Sequence, residues 1–124
     1  WQLEESEKKF RFKTAYKGTE KYLRLPEAVN TGLFRIFQEA LLMAGQYSRA
    51  DYVTVNLSRD KREVVLQVED NGPGPESAEL KSASNIRLLE MKERCYMIQG
   101  TLDIKRLPGK GSLLTIRVPV EEEE

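Results

Sequence analysis

The chain has 124 residues, enough for one domain with a modest core. Its 20 basic and 20 acidic residues cancel, which argues against a nucleic-acid surface built on phosphate neutralisation, and no apolar run approaches a membrane span or a signal peptide. A hydrophobic share of 40% and a charged share of 32% suit a soluble globular protein. Histidine is absent, which removes Ser-His-Asp catalysis, histidine metal sites and any phospho-accepting histidine from this chain. Cys95 is the single cysteine, so there is no internal disulfide and no cysteine zinc site, and a reducing cytoplasmic setting is favoured. The first residue is Trp1 and not Met, which points to a piece of something longer.

Phe10, Phe12, Thr14 and Tyr16 alternate with charged and small residues, the period of a half-buried strand. Gly18 breaks it. Pro26 then opens a helix over about residues 26–47, with Glu27 in the first turn, where the helix dipole favours an acid. Val29, Leu33, Ile36, Phe37, Ala40, Leu41 and Ala44 give it one apolar stripe to lay on a sheet. Residues 52–57 and 63–68 read as two strands joined by the polar turn 58–62, an antiparallel hairpin. A second helix is expected over about residues 85–98, capped by Ser84 or Asn85, with Leu88, Met91, Cys95 and Ile98 on one face and Gly100 ending it. Residues 101–106 and 113–120 are two more strands around a Pro-Gly-Lys-Gly turn, and residues 121–124 form an acidic tail. Strand, helix, two strands, helix, two strands contains too few helices to cover both faces of a sheet. The expected fold class is therefore α+β, a two-layer sandwich with a mixed, mostly antiparallel sheet and helices on one face, in a single domain without repeats.

The stretch that carries chemistry is Asp70-Asn71-Gly72-Pro73-Gly74, at the end of the β-branched run before it. A strand ending there delivers one carboxylate and a flexible backbone to the same spot. Asp70 can accept from an exocyclic amine such as that of adenine, and Gly72 and Gly74 leave room for a flat ring on the main chain. The competing reading is a hairpin turn, because Asp-Gly and Asn-Gly are strong hairpin signals. No strand follows directly, however. A polar stretch continues to Ser84 and reads as a long functional loop whose polarity suggests mobility when empty.

Three separated stretches together resemble the ATP-binding domain of sensor histidine kinases, the fold shared with DNA gyrase, the mismatch-repair ATPases and the heat-shock chaperone ATPases. They are residues 33–41 (LFRIFQEAL), which resemble the helix carrying the N box; residues 70–74 (DNGPG), the first glycine box; and residues 88–94 (LLEMKER), followed by Gly100-Thr101-Leu102 and the turn Gly109-Lys110-Gly111-Ser112. The resemblance covers about residues 25–120 and implies ATP or ADP as cofactor with magnesium. It also implies phosphotransfer to a histidine on a separate helical dimerisation and phosphoacceptor domain of a parent kinase, and onward to a response regulator. It implies no nucleic acid and no membrane contact by this domain, although the parent chain can be membrane-anchored. By the same resemblance Asp70 takes the adenine amine, Gly72 and Gly74 let the loop close, Glu39 is the polar catalytic residue near the phosphates, and Tyr47, Arg87, Lys110 and Ser112 lie around the nucleotide. Read without it, Glu39 is an exposed helix glutamate with an ion-pair partner, Arg87 a surface arginine, and Lys110 and Ser112 parts of a hairpin turn.

The pattern is broken at the phosphate end. Met43 stands where the family places a magnesium-binding asparagine, and a thioether does not replace a hard oxygen ligand. Gln46 stands where a lysine pairs with phosphate, and Asn85, Arg87 and Glu90 stand where the second glycine box has its three glycines. Arg87 can supply charge to a phosphate instead, whereas Glu90 adds the opposite charge. Two readings follow: an active kinase ATP domain with unusual phosphate contacts, or a degenerate pseudokinase-like module acting as a docking or dimer-control surface. A serine kinase of the anti-sigma type on the same fold is third, because Met91-Lys92-Glu93-Arg94 resembles the histidine kinases.

Overall fold

The computed structural model describes residues 13–18, 25–60, 62–107 and 111–120. Along the chain these form β1 (Lys13–Gly18), α1 (Glu27–Gln46), β2 (Tyr52–Arg59), β3 (Glu63–Asp70), α2 (Ala78–Met97), β4 (Thr101–Leu107) and β5 (Gly111–Pro119). The strands make one sheet in the order β1-β2-β3-β5-β4. β1 runs parallel to β2, as its helical crossover through α1 requires, and the remaining neighbours are antiparallel. Asp60 fixes the β2–β3 turn, its carboxylate accepting the N–H groups of Arg62 and Glu63 at 2.7 and 2.8 Å. The expected mixed sheet with both helices on one face is what the chain builds. Residues 10–12 of the first expected strand, the turn residues 108–110 and the acidic tail 121–124 lie outside the described residues.

The alternation in β2, β3 and β5 sends Val53, Val55, Val64, Leu66, Val68, Leu114, Ile116 and Val118 to the covered face, all buried. The side chains of α1 meet them with Leu33, Ile36, Ala40, Leu41, Met43 and Ala44; Val29 and Phe37 of the expected stripe are only partly buried, and Met43 joins it. Each buried valine, leucine, isoleucine or methionine among them contributes about 1.5–3 kcal/mol by leaving water. The two helices run antiparallel to each other. Gly32 of α1 lies under Ile98, where an added Cβ would come to 2.9 Å from the isoleucine side chain, and further along Glu39 of α1 pairs with Arg94 of α2.

The second helix departs from expectation. It begins at Ala78, not near residue 85, and its cap is Ser77, whose hydroxyl accepts the Leu80 N–H at 3.1 Å. Ser84 is not a cap; it is buried in the middle of the helix. The long polar loop therefore shrinks to residues 71–77. Polarity suggested a loop, but Ala78, Glu79, Leu80, Lys81 and Ala83 are good helix formers, and no glycine or proline stands between Pro75 and Gly100 to stop them. The C-terminal end also differs in detail. Gln99 takes the left-handed conformation at φ 61°, and the Gly100 and Gln99 N–H groups bond back to the Cys95 and Tyr96 carbonyls. Gly100 is required for a second reason, since a Cβ there would lie 3.0 Å from the Arg117 carbonyl oxygen.

Candidate functional site

The sheet register places three polar side chains in one row across the covered face. Asp70 of β3 is opposite Ser112 of β5, and Ser112 is opposite Arg106 of β4. A slip of one residue in either pairing would turn the row outward, so the aliphatic alternation beneath it also fixes the site. Asp70 is 8% exposed. One carboxylate oxygen accepts the Gly72 N–H at 2.8 Å and the other accepts the Ser112 hydroxyl at 2.8 Å. Burial pushes the Asp70 carboxyl above its ordinary range; the Ser112 and Gly72 hydrogen bonds and the Arg106 charge pull the other way.

Around Asp70 lies a cleft lined by Ala40, Met43, Ala44 and Ser48 from α1 and the turn after it, Met91 from α2, and Val68, Ile104, Arg106, Ser112 and Leu114 from the sheet. Its cavity volume is about 20 Å³. One water needs about 10–15 Å³ on that measure, so the cleft is narrow. Its walls are apolar, with the polar row at one end, the usual make-up of a small-molecule site.

The glycine-rich corner is stitched to the end of α1. The Gly74 N–H donates to the Ser48 carbonyl at 3.2 Å, and Asn71 Oδ1 accepts the Asp51 and Tyr52 N–H groups at 2.9 and 3.0 Å. Arg49 donates to the Gly74 carbonyl at 3.4 Å and pairs with Glu76 at 3.7 Å. This corrects the expectation that Gly72 presents bare main chain to a flat ring. A Cβ on Gly72 would lie 2.0 Å from the Ser48 carbonyl oxygen, so the missing side chain serves a close backbone approach within the protein. Gly74 faces open space and is needed for its φ of 97°. Gly111, quoted only as part of a turn, is as tightly held: its φ is 106° and a Cβ would lie 1.8 Å from the Asp70 carbonyl oxygen.

The other end of the site is a seam between the antiparallel helices. Glu39 pairs with Arg94 at 3.4 Å, and its second oxygen is buried with no hydrogen-bond partner among the described residues. Two turns on, the buried Tyr47 has its hydroxyl beside the Arg87 guanidinium, which holds the Arg87 pKa above the ordinary arginine value with help from Glu90 and Glu39. Arg87 and Glu90 pair at 3.8 Å. Midway between these contacts on α1 stands Met43, buried and lining the cleft. The positions expected to carry the second glycine box, residues 85–91, lie inside α2, so no helix N-terminus faces the seam there. The position expected to ligate magnesium carries Met43, whose thioether does not replace a hard oxygen ligand. Beside it Glu39 gives one oxygen to Arg94 and leaves the other without a partner among the described residues.

Asp70, Ser112, Gly72 and Gly74 thus surround or support the cleft, while Glu39, Tyr47 and Arg87 form the seam beside it. Lys110 lies outside the described residues. Ser48, Arg106 and Arg94 escaped sequence reasoning. Ser48 and Arg106 join the cleft through neighbours distant in sequence, whereas Arg94 was visible only as the end of the Met-Lys-Glu-Arg run, with no role attached.

A family profile described as "Histidine kinase-, DNA gyrase B-, and HSP90-like ATPase" matches residues 28–122. The signal transduction histidine-protein kinase/phosphatase DegS of Brevibacillus brevis is 37% identical over 101 residues, which are 82% of this chain and 26% of that protein. The sensor histidine kinase LiaS of Bacillus subtilis is 38% identical over 100 residues, 81% of this chain and 28% of that one. The chain thus spans about a quarter of the length of these curated relatives. Among solved structures, the mycobacterial sensor histidine kinase MprB superposes with a TM-score of 0.71 at 18% identity, covering 98% of this chain and 91% of the other. The blue-light activated histidine kinase EL346 of Erythrobacter litoralis reaches 0.73 at 16% identity over 96% of this chain and 42% of the other. At such identities the superpositions speak to the fold, while the family rests on the profile and the bacterial relatives. The chain belongs to the histidine kinase-, DNA gyrase B- and HSP90-like ATPase family, as an ATP-binding catalytic domain of the sensor histidine kinase type.

Proposed function

We propose that the Asp70 cleft takes the adenine ring of ATP or ADP, and that the domain serves phosphotransfer to a histidine on a separate phosphoacceptor domain of its parent kinase, with a response regulator downstream. The observation that carries the reading is Asp70 itself: a buried carboxylate at a strand end, fixed by Gly72 and Ser112, beside an apolar cleft. Each of its oxygens keeps a lone pair for an exocyclic amine. The absence of histidine from the chain agrees with an acceptor elsewhere. Because the cleft is narrow, a purine enters as flexible side chains on its wall, Met43 and Arg106, swing aside, which costs affinity. The outcome is weak adenine-nucleotide binding with little dependence on magnesium. No helix among the described residues is long and apolar enough to cross a membrane; the cytoplasmic setting of the domain is part of the proposal.

Calorimetric titration with adenosine and with ADP tests it. Wild type binds both, and Asp70→Ala loses about tenfold or more of the adenosine affinity, the usual consequence of deleting a partner in a buried polar contact. Equal adenosine binding by wild type and variant, or none by either, would remove the assignment.

A further inference from the structure

We infer that this chain holds the phosphates of its nucleotide with two arginines, Arg87 and Arg94, in place of a metal ion. The inference rests on the adenine reading above and extends it along the groove. Three levels of the helix seam define the geometry. Glu39 faces Arg94 at one level, Tyr47 faces Arg87 at another, and Met43 lies midway between them on α1, at the wall of the cleft. Arg87 and Arg94 are two turns apart on the same helix, about 10 Å along its axis. Phosphates leaving a base seated beside Asp70 cross the seam near Met43, with one guanidinium on either side.

Both arginines are held for this task without being used up. The Arg94 side chain is 40% exposed and touches Glu39 through one nitrogen at 3.4 Å. The Arg87 side chain is 45% exposed and its contact with Glu90 is long, at 3.8 Å. The Arg87–Glu90 pair is exposed and so weak, Arg94 gives only one of its nitrogens to the less exposed Glu39, and a guanidinium has five donors in a fork that suits phosphate oxygens. One of the departures at this end supplies half of the clamp, and the Met-Lys-Glu-Arg run supplies the other half. Arg87 stands where a glycine would open the helix, and α2, now continuous from Ala78, carries both arginines on one rigid face. Met43 removes the hard ligand a magnesium ion needs. Glu90 and Glu39 are the anions that phosphate displaces, so they position the arginines in the empty protein and compete with the ligand.

The test is calorimetry on the 124-residue chain with adenosine, with ADP in EDTA and with ADP plus magnesium. ADP in EDTA should bind at least tenfold tighter than adenosine, and magnesium should leave that affinity unchanged or lower it by screening the phosphates. Arg87→Ala should lower ADP affinity several-fold toward the adenosine level while adenosine itself is unaffected, and Glu90→Gln should tighten ADP alone, which a purely structural residue would not do. Because Arg94→Ala leaves Glu39 without its partner, Arg94→Lys is the second variant, and it should lower ADP affinity with an unchanged melting temperature. The clamp is refuted if ADP gains nothing over adenosine, if it needs magnesium, or if Arg87→Ala behaves as wild type. Failure of adenosine to bind takes down the base reading and the clamp with it, whereas adenosine binding without a gain from phosphate takes down the clamp alone.

Discussion

The two ends of the groove are built on different principles. At the base end, Asp70 sits in a sheet register, both of its oxygens are bonded inside the protein, and Gly72 and Gly111 let backbone strands approach to distances no Cβ tolerates. At the end proposed for phosphate, the contacts are an exposed ion pair within α2, Arg87–Glu90 at 3.8 Å, and one between the helices, Arg94–Glu39 at 3.4 Å. The first end is fixed by the fold and resists change. The second is fixed only by side chains, which substitution can rewrite without disturbing the core. On the proposed reading, that contrast explains how the residues assigned to the base remain here while asparagine is replaced by Met43 and the second glycine box is gone.

The largest effect that would break the contrast lies at Gly111. Gly111→Ala forces a Cβ into the Asp70 carbonyl at a φ that side chains rarely adopt, and should cost about 3 kcal/mol or more in denaturant unfolding. A loss below about 1 kcal/mol would show that the base end is as tolerant as the phosphate end. Ser112→Ala removes one of the two bonds to Asp70 and should cost about 1–2 kcal/mol by the same measurement, since a buried carboxylate oxygen is left short of a donor.

The phosphate end should be convertible. Met43→Asn together with Arg87→Gly restores a hard oxygen and opens the helix, and should make ADP binding magnesium-dependent by about tenfold, or about 1.4 kcal/mol, in titrations with and without EDTA. An unchanged magnesium response would mean that these two positions do not face the phosphates.

The smallest and most pH-dependent effect belongs to Asp70→Asn. Burial raises the Asp70 carboxyl pKa in the folded chain, so its contribution to stability is complete below the ordinary carboxyl range and is lost as pH rises through the raised value. The amide carries no charge to bury and keeps both bonds, accepting from Gly72 and donating to Ser112. The variant should therefore gain stability relative to wild type as pH climbs from acid to neutral, read as melting temperature against pH. A constant difference across that range would remove the buried-charge account.

Much of this arrangement was legible in the sequence. The α1 stripe, the β2–β3 hairpin and the strand ending in Asp70 follow from periodicity, and the glycine-rich stretch after it marked the base end. The start of α2 was not legible, because a polar segment rich in helix formers reads equally as a surface loop until a cap is chosen, and Ser77 and Ser84 are alike in sequence. The purpose of Gly72 was not legible either. A missing Cβ signals a close approach but not what approaches, and Ser48 lies 24 positions away. Arg106 entered the site only through its pairing opposite Ser112.

By itself the sequence determined the alternation, the helix faces and the identity of the acid at the strand end, because these depend on neighbours a few residues away. The tertiary structure alone decided which residues share the row at Asp70 and which charges face each other across the seam. Strand register and helix packing set those distances, and both are settled by burial of the whole core, not by any local stretch.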